Sequence, residues 1–515
     1  MRKLPPWSLL ALFAATAMPV CAGDTTGFRF HQEPGPFDVG LRVIQQYDNS
    51  RSFDNGSRPL QTLIWYPAAR GASGVRMSYG DYMELRATDA AAGELRQQVG
   101  MTGWFDAGRE AARADPMWAK RDAAPAPGHF PVVIYAPSFS STSWENADLC
   151  EYLASHGYLV LASPGMGVQR KSTHDLVGVE AQARDISFLV GYAGTIPNAD
   201  TAHIAVVGFS WGGLSNVIAA ARDTRIDALV ALDGSLRYWP GIVAQASDVR
   251  PENLTIPLLF FFGQGTIESQ ELLEKQSPLV HGPSILNAWV HGDLVSVRML
   301  GMSHPQFNSR TQRNERFFQY EFAQQQLVDY DRNDGIVGYA WVARYTRAFL
   351  DDRLKDDAAA RHFLEATPKE NSVPAHTLSV DIRRAQPLPF SLADFQAEVI
   401  RRGFEHVGEV HAEVQKSHPE LKIDAGGIVD WGYERLSAGK AREAVSLMRF
   451  AVKLAPSGST YIGLAESYER AGDKAHAIEN YREALKLDPD NVTVNIVAKQ
   501  RLDELAPSFA GSAPR

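Results

Sequence analysis

Between residues 131 and 262, short continuous apolar runs alternate with helix-like stretches; the runs are 132–136, 158–162, 204–207, 228–232 and 258–262. Strands covered by helices on both faces lose the in-and-out alternation and read as such runs. The pattern therefore predicts a doubly wound, mostly parallel α/β sheet, with a last strand at 296–300. Upstream, the runs 40–44 and 60–66 flank a polar stretch and predict an antiparallel edge. Residues 78–127 are rich in Ala, Arg and Met and close on Ala124-Pro125-Ala126-Pro127, which reads as a mostly helical insertion ending in a stiff loop. Ligands of such sheets bind outside the carboxyl ends of the strands, so the loops there are where chemistry is expected.

The Pro-rich stretch 367–390 breaks this pattern and reads as a linker between a catalytic domain (23–366) and a helical domain (391–505), with a disordered tail at 506–515. The helical part carries a repeat. Gly439, Ala444, Ala451 and Pro456 recur 33 residues later as Gly472, Ala477, Ala484 and Pro489. Small residues let two antiparallel helices approach closely, and the proline stops the second one. The stretch 424–490 resembles a tetratricopeptide pair, although Arg435 stands in the first unit where an aromatic residue is expected. Two units are fewer than the three usually needed for stability, so flanking helices at 392–417 and 493–505 are expected to cap them. A protein partner or self-association through this module follows from the resemblance.

The composition, with 45% hydrophobic and 22% charged residues, is that of a folded globular chain. A net charge of −9 without a dense basic run argues against a nucleic-acid partner. Arg2 and Lys3, the apolar run 7–20 and the small residues around Cys21-Ala22 follow the order of an export signal, with cleavage expected after Ala22 and a periplasmic or secreted destination. That run is short for a bilayer span, and no later one is long enough. After cleavage Cys150 would be alone, so stability in an oxidising compartment must come from the core.

The decisive segment is Ile204-Ala205-Val206-Val207-Gly208-Phe209-Ser210-Trp211-Gly212-Gly213, followed by the helical stretch 214–222. A strand running through Gly-x-Ser-x-Gly into a helix is a nucleophile elbow, a turn so tight that it lifts the serine above the sheet. The amide of Trp211 can then donate to a developing oxyanion. A serine needs a base held by an acid, in the chain order Ser, Asp/Glu, His. His304, in the loop Gly301-Met302-Ser303-His304-Pro305, has the best setting, ahead of His281, His291, His362 and His376. Two acids compete. Asp233 directly follows the strand 228–232, whereas Glu268 lies six residues beyond Phe262, so the more rigidly held Asp233 is preferred and Glu268 is the alternative.

Ser210-x-Trp-Gly-Gly, Asp233-Gly234 and a late Ser-His resemble the platelet-activating factor acetylhydrolase group of α/β-hydrolases and its dienelactone hydrolase-like relatives, over about residues 27–353. The resemblance implies carboxylic-ester hydrolysis by Ser210, Asp233 and His304 through an acyl-enzyme, without metal or other cofactor. It places a second oxyanion donor after the strand 132–136, where Pro137-Ser138-Phe139 replaces the family's usual His-Gly and comes closer to the Gly-aromatic loop of polyester hydrolases. Phe139 is assigned the amide, with Ser138 as the alternative. The histidines show no His-x-x-x-His ligand spacing. Two other readings stay open: a non-catalytic hydrolase fold used for binding, and a peptidase built on the same triad.

Overall fold

The computed structural model describes residues 27–85, 110–169, 172–263, 284–317 and 330–505. The export-signal segment, residues 86–109 of the insertion, Glu268, His281 and the tail 506–515 lie outside them. The chain divides into two compact units, Met1–Pro387 and Leu388–Arg515. Among the described residues no helix is long and apolar enough to cross a membrane.

The first unit is built on one 11-stranded sheet. Its strands are β1 (Asp38–Phe53), β2 (Gly56–Ala68), β3 (Val75–Ser78), β4 (Pro116–Arg121), β5 (Phe130–Ala136), β6 (Leu159–Ala162), β7 (Ala199–Phe209), β8 (Ala228–Leu232), β9 (Leu258–Phe262), β10 (Leu294–Met299) and β11 (Leu378–Arg383). They lie in the order β11-β10-β9-β8-β7-β5-β6-β2-β1-β4-β3. The run from β6 to β10 is parallel, and β1 with β2 forms the expected antiparallel hairpin. Both faces are covered. Val133 and Tyr135 of β5 and Ala205 and Val207 of β7 enter one core, together with α1 (Ala147–Ser155) and α2 (Arg332–Lys355). Their neighbours Val132, Ile134, Ile204 and Val206 enter the other, against α3 (Leu176–Ala193) and α4 (Trp211–Arg222). Each such Val, Ile or Leu is stabilising by about 1.5–3 kcal/mol, which is why the strands carry apolar residues at every position.

One expectation is corrected. The stretch 367–390 is not simply a linker: β11 lies in it and pairs antiparallel with β10, so β10 is not the last strand. Of the 78–127 insertion, residues 86–109 lie outside the described residues, and the rest holds the short helix Tyr79–Glu84, a helical turn at 110–111 and β4, which pairs parallel with β1. Its alternating side chains bury Met117 and Ala119.

β5 is flanked by β6 on one side and β7 on the other, so the chain departs in opposite directions from these two strands and leaves a crevice at their carboxyl ends. Under it, α1 is unusually polar: Asp148 and Glu151 are buried. Arg313 grips Asp148 with two nitrogens at 2.7 and 3.0 Å. Glu151 accepts from the Tyr82 hydroxyl and the Trp118 amide, each at 2.6 Å. Loss of hydration nonetheless pushes the Glu151 carboxyl from 4.5 up to about 7. The native state therefore keeps a proton that the unfolded chain releases, and stability falls as pH rises from about 4.5 to 7. Melting of the full chain should show this fall, and Glu151→Gln should flatten it; an unchanged slope in that variant would reject the assignment.

The second unit is a series of antiparallel helices. Four of them, Ala425–Ser437, Ala441–Leu454, Gly458–Arg470 and Lys474–Leu487, form two hairpins. Gly439 and Gly472 close the first helix of each hairpin at φ +74° and +83°, where a Cβ would be strained. Ala444, Ala451, Ala477 and Ala484 are fully buried. The odd Arg435 is explained by its neighbour. It forms an ion pair with Glu443, and the residues 33 later, Tyr468 and His476, stack there instead. One polar pair replaces one ring pair.

Candidate active site

Ser210 sits between β7 and α4 at φ 52° and ψ −113°, a conformation costing about 1–3 kcal/mol for a non-glycine residue. Its surroundings hold it there. The Ser210 amide donates to Leu232 O, and the Ser235 amide donates back to Ser210 O at 2.7 Å. The turn has no room for side chains: a Cβ on Gly208 would lie 2.3 Å from Gly212 O, and one on Gly212 would lie 2.0 Å from Ala136 O. The second clash also shows that the elbow abuts the end of β5, where the Pro137-Ser138-Phe139 loop begins.

The structure brings Ser210, His304 and Asp233 together. His304 opens a 3-10 turn after Ser303, with Nε2 2.9 Å from Ser210 Oγ and Nδ1 2.6 Å from Asp233 Oδ2. Asp233 is 1% exposed, whereas the His304 side chain is 40% exposed, so the acid is sealed and the base opens to solvent. The Asp233 amide donates to Phe261 O, which fixes the residue at its strand end with φ 41°. Tyr238 reaches its other oxygen, Oδ1, at 3.4 Å. The rings of Phe209 and Tyr238 flank the imidazole at 5.2 and 6.2 Å. Of the other histidines, His291 bonds Gln386 O, His362 lies on the helix Ala358–Glu365 and His376 lies in the loop before β11.

Trp211 is the first residue of α4, and its indole is edge-on to the Phe139 ring at 5.5 Å. Phe139 thus stands beside the residue that follows the serine. Ser138 is otherwise engaged, because its amide donates to Glu145 Oε2 at 2.7 Å. Of the two loop amides considered as donors, that of Ser138 is thereby taken, and Phe139 remains the candidate.

Glu145 was not among the residues expected to matter. It is fully buried and also accepts from the Ser138 and Ser141 hydroxyls. Its neighbour Asn146 donates to Phe307 O and accepts from the Ser309 amide, while Glu145 O accepts from the Arg310 amide. Two consecutive residues ahead of α1 therefore tie the 137–141 loop to the histidine loop. Nothing in the sequence marks them, because a polar Ser-Trp-Glu-Asn stretch reads as an ordinary surface loop. In Glu145→Gln one acceptor oxygen becomes an NH2 facing donors, and the loop must shift. For the ester hydrolysis that the sequence resemblance implies, the expected outcome is a kcat lowered about tenfold to a hundredfold with little change in KM. Steady-state kinetics check this, and a rise in KM alone would assign Glu145 to substrate binding.

Similarity to known proteins falls on both units. Residues 119–267 match the dienelactone hydrolase family model. Residues 459–491 match the tetratricopeptide repeat model, which covers the second of the two expected units. A protein of Methylorubrum extorquens named "Putative carboxymethylenebutenolidase" is 28% identical over 156 residues, 26% of this chain and 51% of that protein. The chain thus spans about half the length of this curated relative. A solved ferulic acid esterase from Streptomyces cinnamoneus is 22% identical, with a TM-score of 0.46 over 64% of this chain and 94% of that one.

Proposed function

We propose that this chain, a dienelactone hydrolase-like α/β-hydrolase carrying a tetratricopeptide repeat, is a serine hydrolase of carboxylic esters. The observation that carries the reading is the continuous relay from Ser210 Oγ through His304 to the buried Asp233, at 2.9 and 2.6 Å. With Nδ1–H donating to Asp233, the imidazole keeps Nε2 free to take the Ser210 proton. Oγ then adds to the ester carbonyl carbon, and the amides of Trp211 and Phe139 stabilise the oxygen as it gains charge. Collapse of this adduct breaks the ester C–O bond, and His304 returns the proton to the departing alcohol. Water, deprotonated by the same nitrogen, releases the acid from the acyl-serine.

An alkyl fluorophosphonate tests the reading, since it needs an activated serine. The expected result is one adduct, mapped by peptide mass to Ser210, together with turnover of simple acyl esters. Labelling elsewhere, or none, would reject it. The helical unit is assigned to association with a protein or a second copy. A chain ending at Pro387 should accordingly keep the label and small-ester turnover while losing any association that the full chain shows by sedimentation.

A further inference from the structure

The two proposed oxyanion donors sit on different elements, the Phe139 amide in the loop after β5 and the Trp211 amide at the start of α4. A third element joins them. Gln182 lies on α3 and is buried, and together with Ser138, Phe139 and Trp211 it lines one small cavity. Its Nε2 donates to Pro137 O at 2.7 Å, and its Oε1 accepts from the Ser215 hydroxyl of α4, also at 2.7 Å. The amide can face only this way round, because Pro137 O is solely an acceptor. The Ser215 hydroxyl also contacts Trp211 O at 3.1 Å, so its one proton is shared between the glutamine and the residue that follows the nucleophile.

The Pro137 carbonyl and the Ser138 N–H belong to one planar trans peptide unit and point to opposite sides of the chain. Gln182 holds the first and Glu145 the second, each at 2.7 Å, so two buried side chains clamp this unit from both ends. The next unit carries the Phe139 amide, and its own carbonyl, Ser138 O, is held by the Ser141 amide at 3.1 Å. The frame behind the clamp is fixed as well. One turn beyond Gln182, the buried Asp185 accepts from Arg58 at 2.6 and 2.7 Å and from Arg51 at 2.6 Å, which ties α3 to the β1–β2 hairpin. On the elbow side, a Cβ on Gly212 would lie 2.9 Å from Pro137 O, so loop and helix already touch and a shift of one alters its fit to the other.

We infer that Gln182 is a positioning residue for the oxyanion hole, fixing the Phe139 and Trp211 amides relative to one another and acting on the reaction through them. The inference rests on the serine-esterase reading with these two donors and adds the residue that sets their spacing. Donors held in place beforehand stabilise an oxyanion because nothing has to rearrange as the charge develops. Without the glutamine, Pro137 O loses a buried donor, and the Ser215 proton goes wholly to Trp211 O four residues back, a bond that tends to bend helices. Both donors then shift, and the loss falls on the transition state, where the oxygen carries its charge.

Gln182→Met keeps a long unbranched side chain and removes both bonds. On a simple acyl ester its kcat should fall about tenfold with KM within about twofold, since acylation and deacylation use the same donors and a displaced donor costs less than a missing one. A trifluoromethyl ketone gives an independent readout. Ser210 Oγ adds to its carbonyl carbon, no group leaves, and the oxygen stays as an oxyanion, so its inhibition constant should rise by the factor by which kcat/KM falls. Val179→Ala truncates a fully buried residue one turn earlier on α3 and should lower the melting temperature without moving either quantity. Unchanged kcat and ketone affinity in Gln182→Met, a rise in KM alone, or equal losses in Val179→Ala would overturn the inference. Should Gln182→Met not fold, Ser215→Ala decides: kcat and ketone affinity fall together about threefold, the scale of one neutral hydrogen bond, or they stay unchanged and reject it. Fluorophosphonate labelling keeps the two levels apart. An unlabelled wild-type protein rejects the esterase reading, whereas a labelled one whose Gln182→Met variant keeps full kcat and ketone affinity rejects only the role of Gln182.

Discussion

Ser210→Ala is expected to lower kcat for ester hydrolysis by at least about 10⁴-fold, to abolish fluorophosphonate labelling and to leave the thermal unfolding midpoint within a few degrees of wild type. The first two effects follow because Oγ is the atom that forms the covalent bond in the proposed mechanism. No other described hydroxyl has an imidazole nitrogen at 2.9 Å backed by a buried carboxyl group. Ser235 comes nearest, with its Oγ 3.5 Å from Ser210 Oγ, so it is the residue to inspect if activity survives. The small stability effect follows from what the substitution leaves alone. Alanine keeps a Cβ and hence the same strain at φ 52°, and the bonds fixing the turn, from Ser210 N to Leu232 O and from Ser235 N to Ser210 O, are backbone bonds. Full turnover in the purified variant would show that another group performs the chemistry.

The parallel core was legible in the sequence because its strands are buried on both faces, and a run such as 130–136 cannot hide among polar neighbours. The elbow was legible for a different reason. Gly208 and Gly212 each exclude a side chain by contact with backbone atoms, so the spacing Gly-x-Ser-x-Gly encodes a geometry and not only a composition. What was missed has an equally physical cause. β11 is an edge strand with only Leu378 buried, and its alternation sits within a Pro-rich segment, so it reads as a connection until β10 offers it a partner. Glu145 and Asn146 are polar residues whose burial depends on loops more than 150 residues away, and no local pattern contains that information. In the helical unit, the 33-residue spacing was visible because small residues recur at helix contacts. The Arg435–Glu443 pair shows how one position can leave such a pattern when its partner changes with it.

Asp233→Asn is expected to lower kcat about 10³-fold to 10⁴-fold, while Glu268→Gln leaves it within about twofold. The acid has two tasks, holding the imidazole in one tautomer and stabilising the cation that forms when the Ser210 proton arrives. The surroundings of Asp233 suit both. It follows β8 directly, its amide is tied to Phe261 O, its carboxyl group is sealed from solvent, and Oδ2 already lies 2.6 Å from Nδ1. An asparagine would present either an oxygen without the charge or an NH2. With the NH2 facing Nδ1, the ring proton moves to Nε2, which then points a donor at Ser210 and can no longer accept its proton. The remaining oxygen would keep the Tyr238 contact, so the loss should appear in kcat with little change in folding. Glu268 lies outside the described residues, and the position on Nδ1 is filled by Asp233. Steady-state rates of the two variants on one small ester decide between them. A large loss in Glu268→Gln with little in Asp233→Asn would move the acid's role to the later loop and leave Asp233 as a turn residue.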